Sequence, residues 1–379
     1  MTRALPKRPA LTNEEETRCL RTAAYLAACA VNGDTADVSF VSDPDAVLAA
    51  AGRHGMSAIV AMALEKAGMR SERTASAIAT ALRREAVFEA AAEEVKQRLE
   101  AEGIWYVLLK GMKLKDLYPG RGMREMADCD ILTDPNRMTD VRRIMEGLGF
   151  RTDHAGTGHH DSYERPPLCR FEMHRALLMN DTKNEYYADI EKRLLPSPDG
   201  GYERLFGLED FYLFLVVHVQ KHWQLGGTGL RSFLDLYVYL KRMENGLNMD
   251  YVLAEARKLD ILAFEEEARA FALDLFGGKK LDAGQEEMLS YIAGSGTYGT
   301  VKHAVENKVE RMGGGRKAKF RYFMKHLFLP MESLEVSYPG VARRRWLIPF
   351  FAVYRLGKAV LTKPARVRAE LKALRSLKH

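Results

Sequence analysis

The chain has 379 residues, of which 47% are hydrophobic and 28% are charged, and its formal net charge is +6 at pH 7. Such a length allows two or three domains, and such a composition is typical of a soluble globular protein. No apolar run approaches the roughly 20 residues of a membrane-spanning helix, and the first residues lack the apolar core of a signal peptide, so we expect a cytoplasmic protein.

The amino-terminal quarter of the chain is predicted to be helical. After residues 1–15, which we expect to be disordered, alanine-rich sequence with a hydrophobic period of about 3.6 residues predicts helices over 17–31, 44–68 and 73–103. Asp43 before Pro44 and Ser71 are typical helix starts, and Gly68 and Gly103 are typical helix ends. We therefore assign residues 1–98 to an amino-terminal helical region.

The next hundred residues alternate between strand and helix. Strands are predicted over 104–109 and 127–133, from about 149, and over 168–176, and a polar stretch at 157–161 separates the last two. Short helices are predicted between them, over 112–118 and 136–148. This alternation predicts a small mixed sheet of four or five strands, which we place in a domain over 99–200.

The remainder returns to helices. They are predicted over 208–223, 230–243, 250–276, 281–293, 298–310 and 316–327, with a break at Gly313–Gly315 and a plain connecting loop at 225–230. We assign 201–330 to a helical domain and 331–379 to a basic carboxy-terminal segment, which begins as an extended aromatic stretch. The fold class predicted for the whole chain is α+β.

Two aspartates stand on the second predicted strand. Asp128 and Asp130 are two residues apart, so their side chains point to the same face of a sheet. Glu172 lies in a similar apolar context on a later strand. Carboxylates held in this way suit Mg²⁺, and three of them can hold two ions about 3.5–4 Å apart. An ion pair between Glu172 and Arg170 is the structural alternative.

Positively charged residues and a glycine precede the aspartates. Gly111 permits close approach of the backbone to a phosphate at the start of the following helix, and Lys110 and Lys113 can add charge. Arg124 can reach a phosphate or pair with Asp128, and the sequence does not choose between these partners.

These stretches carry a resemblance to a known family. Leu108–Gly111 with Leu117-Tyr118-Pro119, Arg124 with Asp128–Leu132, Glu172-Met173-His174, and the run from Tyr338 through Arg343–Pro349 to Arg355 together span most of residues 100–358. The chain resembles the nucleotidyltransferase superfamily that includes DNA polymerase beta, and within it a bacterial group known as nucleotidyltransferase family proteins. Lys110-Gly111-Met112 stands where the superfamily has a small residue after the glycine, and the spacing from Gly111 to Asp128 is longer than usual.

The resemblance implies an activity and roles for particular residues. It implies transfer of a nucleoside monophosphate from a nucleoside triphosphate to an acceptor hydroxyl, with two Mg²⁺ ions, or Mn²⁺ instead, held by Asp128, Asp130 and Glu172. It places Lys110 and Gly111 at the phosphates, with Lys113 and Arg124 as further candidates. In related enzymes a helical domain closes over the nucleotide, which makes Lys221 and His222 candidates for contacts with the triphosphate or base.

Other interpretations remain open. Residues 355–379 carry eight Lys or Arg and one acid, so the tail can bind nucleic acid, and a non-catalytic nucleotide-binding interaction protein is a further alternative. The apolar run 346–353, flanked by arginines, can lie on a membrane surface or pack against the catalytic domain. His159, His160 and His174 suggest a zinc site. Against this, adjacent histidines face opposite sides of a strand, and no cysteine or second histidine stands at the spacing of zinc ligands.

Overall fold

The fold is described here from a computed structural model, over residues 12–156, 158–178, 183–296, 299–329, 331, 334–335, 338–362 and 364–377. The chain divides into two compact units. The first comprises residues up to Gln220 together with Gly229–Ala293, and the second comprises Lys221–Thr228 together with the segment from Gly294 onward. The fourfold division at 98, 200 and 330 stays a prediction.

Four helices open the first unit: α1 (Asn13–Asn32), α2 (Pro44–Arg53), α3 (Ser57–Lys66) and α4 (Glu72–Ala101). The expected disorder is wrong from Thr12 onward, because Thr12 and Glu15 form a capping box that starts α1; residues 1–11 lie outside the described residues. The single helix expected over 44–68 is two helices, because Gly55 between them has a φ of +67°, which breaks the helical path.

A five-stranded mixed sheet follows. Its strands are β1 (Tyr106–Leu108), β2 (Cys129–Thr133), β3 (Arg151–His154), β4 (His160–Arg165) and β5 (Cys169–His174), in the spatial order β1-β2-β5-β4-β3. β2 and β5 are parallel, and the other pairs are antiparallel. The α+β prediction and the strand number are confirmed, although β4 occupies part of the stretch expected to be an irregular polar connection.

One face of this sheet is packed and the other carries the polar residues. Cys129 and Ile131 of β2 and Phe171 and Met173 of β5 join a buried core with α4 and with α6 (Met138–Gly147). Successive residues of a strand alternate between faces, so the even-numbered residues of both strands lie on the opposite side. The burial of the odd-numbered residues therefore determines which face presents Asp130 and Glu172.

The rest of the first unit contains elements only partly anticipated. They are α5 (Lys110–Leu114), α7 (Lys183–Tyr186), the hairpin β6 (Leu194–Pro196) and β7 (Arg204–Phe206), α8 (Leu208–Leu225), α9 (Leu230–Met243), α10 (Met249–Lys258), α11 (Leu262–Phe276) and α12 (Ala283–Ser295). The ends of α8 and α12, from Lys221 and from Gly294, belong to the second unit. The β6–β7 hairpin lies in a stretch for which no strand was predicted. The helix expected over 250–276 is interrupted at Asp260, whose φ is +53°.

The second unit is helical. Its elements include α13 (Val301–Arg311), α14 (Gly315–Leu327), α15 (Pro339–Ala342), α16 (Ile348–Thr362) and α17 (Pro364–Ser376). Val305, Val309, Ala318, Tyr322 and Ala373 form a small core between α13, α14 and α17. The extended segment expected after residue 331 is wrong where α15 and α16 form, and Pro330 lies outside the described residues.

Within the described part of the chain, no helix is both long enough and apolar enough to cross a membrane.

Candidate active site

The parallel pairing of β2 with β5 brings two acids together. Asp130 is in register with Glu172, and Leu132 with His174. Glu172 and His174 are two residues apart on β5, so all three polar side chains share the face of the sheet opposite the core with α4 and α6. The sequence predicted each strand, and the strand register makes the acids neighbours.

Asp130 is the buried centre of this group. Its Oδ1 lies 2.8 Å from Lys110 Nζ and 2.9 Å from His174 Nε2. Burial alone would raise the pKa of Asp130, but the Lys110 ammonium and the His174 imidazole hold that pKa well below its ordinary value. Asp130 is therefore ionised at neutral pH and available as a ligand for a cation.

The other two acids are in the opposite situation. Burial first, and repulsion from Asp130 second, raise the pKa values of both Asp128 and Glu172. Glu172 Oε2 is 3.7 Å from His160 Nε2 and 3.8 Å from His174 Nε2, and its Oε1 is 3.9 Å from Arg170 Nε. The carboxylates thus repel one another, and these long contacts compensate only in part.

Lys110 approaches Asp130 from an uncommon backbone conformation. Its φ is +40°, in the left-handed region that residues with a side chain rarely adopt. Such conformations cost on the order of 1–3 kcal/mol and persist where the surrounding structure enforces them. The neighbouring carboxylates outweigh the effect of burial and raise the pKa of Lys110, so its side chain stays charged.

Because Gly111 has no side chain, the guanidinium of an arginine lies close to its backbone. A Cβ at Gly111 would lie 2.5 Å from Arg124 Nη1 and 3.3 Å from Met126 Cγ. The contact that the glycine permits in the structure is therefore with the Arg124 guanidinium, a neighbour that the sequence did not indicate.

The protein partner of Arg124 is Asp235 and not Asp128, and contact of Arg124 with a phosphate stays a prediction. Its Nη2 lies 2.9 Å from Asp235 Oδ2 and its Nε 3.2 Å from Asp235 Oδ1, and Tyr118 also donates to Asp235 Oδ1, at 2.7 Å. Both members of the ion pair are buried, at 8% and 6% exposure. This network connects the segment before β2 to α9, so Arg124 orients that segment.

The donor set beside β2 and β5 suits a metal ion. One ligand atom from each of Asp130, Glu172 and His174 can be chosen so that all three lie within 4.8 Å of one another. Carboxylate oxygens are the preferred ligands of Mg²⁺, and a divalent cation would remove the repulsion that raises the pKa values of Asp128 and Glu172. The residues present therefore fit a divalent metal site.

Comparison with known proteins decides the family. A family model described as "Uncharacterised nucleotidyltransferase" matches residues 41–277, more than half of the chain. The chain belongs to this family. The matched region includes Lys110, Asp128, Asp130 and Glu172 and ends before the basic tail. Because its family consists of nucleotidyltransferases, the protein is a transferase.

Comparison with solved structures finds weaker likenesses. The solution structure of the antibiotic-resistance factor ANT(2'')-Ia is 12% identical, covers 51% of this chain and 98% of its own, and has a TM-score of 0.35. The crystal structure of an antigenic nucleotidyltransferase-like protein from Paracoccidioides brasiliensis is 13% identical, covers 53% and 95%, and has a TM-score of 0.29. Both scores are too low to support an inference about the site. No curated protein matches the chain.

Three further residues predicted to contact the nucleotide lie on helices of this nucleotidyltransferase. Lys113 is exposed and lines a cavity of about 260 Å³ with Leu108, Asp116 and Phe206, which contains none of the three acids. Lys221 and His222 lie on α8 within the second unit. Nucleotide contacts by Lys113, Lys221 and His222 stay predictions.

Two histidines near the acids were not identified as part of this site from the sequence. His160 begins β4 opposite His174, and His159 precedes that strand. The imidazole ring of His160 lies 5.1 Å from that of His174 between centroids, and the ring of His159 lies 5.4 Å from it. The sequence signal was present, but the rule that adjacent strand residues face opposite ways does not apply to His159, which lies outside β4.

Proposed function

We propose that this enzyme transfers a nucleoside monophosphate from a nucleoside triphosphate to an acceptor hydroxyl, with release of pyrophosphate and in dependence on a divalent metal ion. The observation that supports this proposal most is the register of Asp130 with Glu172 on parallel strands, with Asp128 immediately before β2. Family membership supports nucleotidyl transfer in general. We also propose that the protein belongs to the bacterial group of nucleotidyltransferase family proteins.

Asp128, Asp130 and Glu172 would hold the metal, which we propose to be two Mg²⁺ ions, with Mn²⁺ as a possible substitute. When bound, the metal supplies charge neutralisation at the phosphates and at the attacking and leaving oxygens. The Glu172 side chain is 17% exposed and lies beside two imidazoles, which suits it to accept the proton of the acceptor hydroxyl.

Lys110 is placed to assist the triphosphate. Its ammonium already lies at the carboxylate that would carry the metal, 2.8 Å from Asp130 Oδ1. With Asp130 engaged in holding the metal, the Lys110 ammonium would be available to bind a phosphate oxygen of the triphosphate. Phosphoryl transfer depends mainly on positioning and charge stabilisation, which these residues supply without covalent chemistry.

The first test is calorimetric titration of ATP, GTP, CTP and UTP with Mg²⁺, followed by a pyrophosphate-release assay with candidate hydroxyl acceptors. Asp130→Asn is expected to abolish Mg²⁺-dependent nucleotide binding. The matched control is Asp153→Asn, which removes an exposed carboxylate from β3 of the same sheet. Equal binding by wild type and Asp130→Asn would show that the proposed site is wrong.

The carboxy-terminal segment favours a second role, at a membrane surface. Apolar side chains are exposed along one face of α16 and the turn before it: Trp346, Phe350, Val353, Tyr354, Val360 and Leu361, with exposures of 47–84%. Arg343–Arg345 and Lys358 are exposed beside it, and α16 contains no acid. We propose that this face binds an anionic lipid surface.

Sedimentation with phosphatidylcholine vesicles, with and without phosphatidylglycerol, tests this role. Binding is expected only with the anionic lipid, and the double variant Phe350→Ser, Leu361→Ser is expected to lose it. Phe320→Ser is the matched control, since Phe320 is 65% exposed on a different helix of the same unit. Salt-sensitive binding to RNA without vesicle binding would favour the nucleic-acid alternative instead.

We also propose a cytoplasmic location. All four cysteines are free thiols, which is the state that a reducing compartment maintains.

A further inference from the structure

Three imidazoles meet at the edge of the acid cluster. The ring centroids of His159, His160 and His174 are 4.5, 5.1 and 5.4 Å apart in pairs. One ring nitrogen from each can be chosen so that all three lie within 4.8 Å of one another. Imidazole is the usual ligand of Zn²⁺ and of neighbouring transition metals, whereas Mg²⁺ selects oxygen ligands.

The hydrogen bonding of His174 leaves one nitrogen suited to a metal. Its Nε2 lies 2.9 Å from Asp130 Oδ1, so a neutral ring donates its proton there. Its Nδ1 then carries a lone pair, and this buried atom has no hydrogen-bond partner among the described residues. A histidine that donates one N–H to a carboxylate and presents the other nitrogen is the common arrangement of metal-binding histidines.

The spacing of the other two histidines matches a coordination sphere. Ligand nitrogens about 2.05 Å from a tetrahedral Zn²⁺ are about 3.4 Å apart. His160 Nδ1 and His159 Nε2 are separated by 3.3 Å. Because the widest pair in the cluster is within 4.8 Å, small side-chain rotations would close the three nitrogens around an ion.

The contacts of Glu172 with two of these rings are made at their other nitrogens. Glu172 Oε2 lies 3.7 Å from His160 Nε2 and 3.8 Å from His174 Nε2. Glu172 therefore faces the nitrogens that are turned away from the proposed ion, which leaves water as the fourth ligand.

We propose that His159, His160 and His174 form a site for a transition-metal ion of the Zn²⁺ type, with water as the fourth ligand. This site is distinct in chemistry from the carboxylate site proposed for Mg²⁺ and does not depend on nucleotidyl transfer. The alternative explanation of the cluster is a hydrogen bond between His159 and His160 with no metal.

Cobalt substitution tests the site without reference to activity. The full chain, stripped of metal with a chelator, would be titrated with Co²⁺ in excess Mg²⁺, and the visible absorption of tetrahedral Co²⁺ would be recorded. Zn²⁺ is then added to displace the cobalt, and calorimetry gives the affinity of Zn²⁺ itself. We expect a cobalt spectrum that saturates at one site per chain, persists in excess Mg²⁺ and disappears with Zn²⁺.

Three variants locate the bound ion. His159→Ala is expected to weaken Co²⁺ binding at least about tenfold, since loss of even a supporting residue of a metal site costs 10–100-fold. His154→Ala, which removes an exposed histidine from β3, should leave binding unchanged. Asp128→Asn should also leave it unchanged, because Asp128 is outside the imidazole cluster. Absence of a tetrahedral spectrum, equal binding by His159→Ala and wild type, or loss of binding in Asp128→Asn would overturn the proposal.

Discussion

Lys110 offers the sharpest test of the charge balance at the acid cluster. Its ammonium lies 2.8 Å from Asp130 Oδ1, and Asp130 is only 2% exposed. In Lys110→Met the backbone conformation and most of the side-chain volume are retained, and Asp130 keeps only the His174 contact at 2.9 Å. Removal of one partner from a buried ion pair costs about 3–5 kcal/mol. Because the Lys110 side chain is 18% exposed, we expect a loss of about 3 kcal/mol in the metal-free protein.

The assay is urea unfolding monitored by circular dichroism, which gives the free energy of unfolding in the presence of a chelator and, separately, of saturating Mg²⁺. Lys113→Met is the matched control, because Lys113 is exposed three residues away, and its effect should stay within about 0.5 kcal/mol. Mg²⁺ at about 100 times its dissociation constant stabilises a folded protein by about 2.7 kcal/mol. The ion would take over the role of the missing ammonium, so Mg²⁺ should stabilise Lys110→Met more than wild type.

Two results would refute this reasoning. If Lys110→Met were as stable as Lys113→Met in chelator, the ion pair with Asp130 would not contribute as its geometry indicates. If Mg²⁺ stabilised Lys110→Met and wild type equally, Lys110 and the metal would not share Asp130.

Three further changes test other parts of the structure. Gly111→Ala should cost about 1–3 kcal/mol in urea titrations, because its Cβ would meet Arg124 Nη1 at 2.5 Å; Gly147→Ala, with nothing within 4 Å, should change stability by less than about 1 kcal/mol. Burial lowers the pKa of His54 from 6.5 to about 4, so the unfolded chain binds the proton first. Lowering the pH from 6.5 to about 4 should therefore reduce the free energy of unfolding by about 3 kcal/mol. If a His54→Asn variant lost as much stability over the same pH range, His54 would not be the cause. Burial and repulsion raise the pKa of Asp128, so its charge destabilises the folded state at pH 7; Asp128→Asn should stabilise the metal-free protein by about 1 kcal/mol while abolishing pyrophosphate release, and a less stable variant would argue against this.

Much of the local structure could be predicted from the sequence. The strands around Asp130 and Glu172 were identified because alternation and apolar runs are properties of a few consecutive residues. The breaks at Gly55 and Asp260 were missed, since each depends on one residue in a left-handed conformation within an otherwise helical pattern. The β6–β7 hairpin was missed because its strands have three residues each, too few to show a period.

The sequence by itself determined the chemical character of the site: acids on strands, a lysine and a glycine before them, and membership in a family of nucleotidyltransferases. Only the tertiary structure decided which groups meet. It set Asp130 beside Glu172, paired Arg124 with Asp235, and brought His159 and His160 to His174. The physical reason is that periodicity is encoded locally, whereas strand register and buried ion pairs depend on how segments far apart in the chain pack into one core.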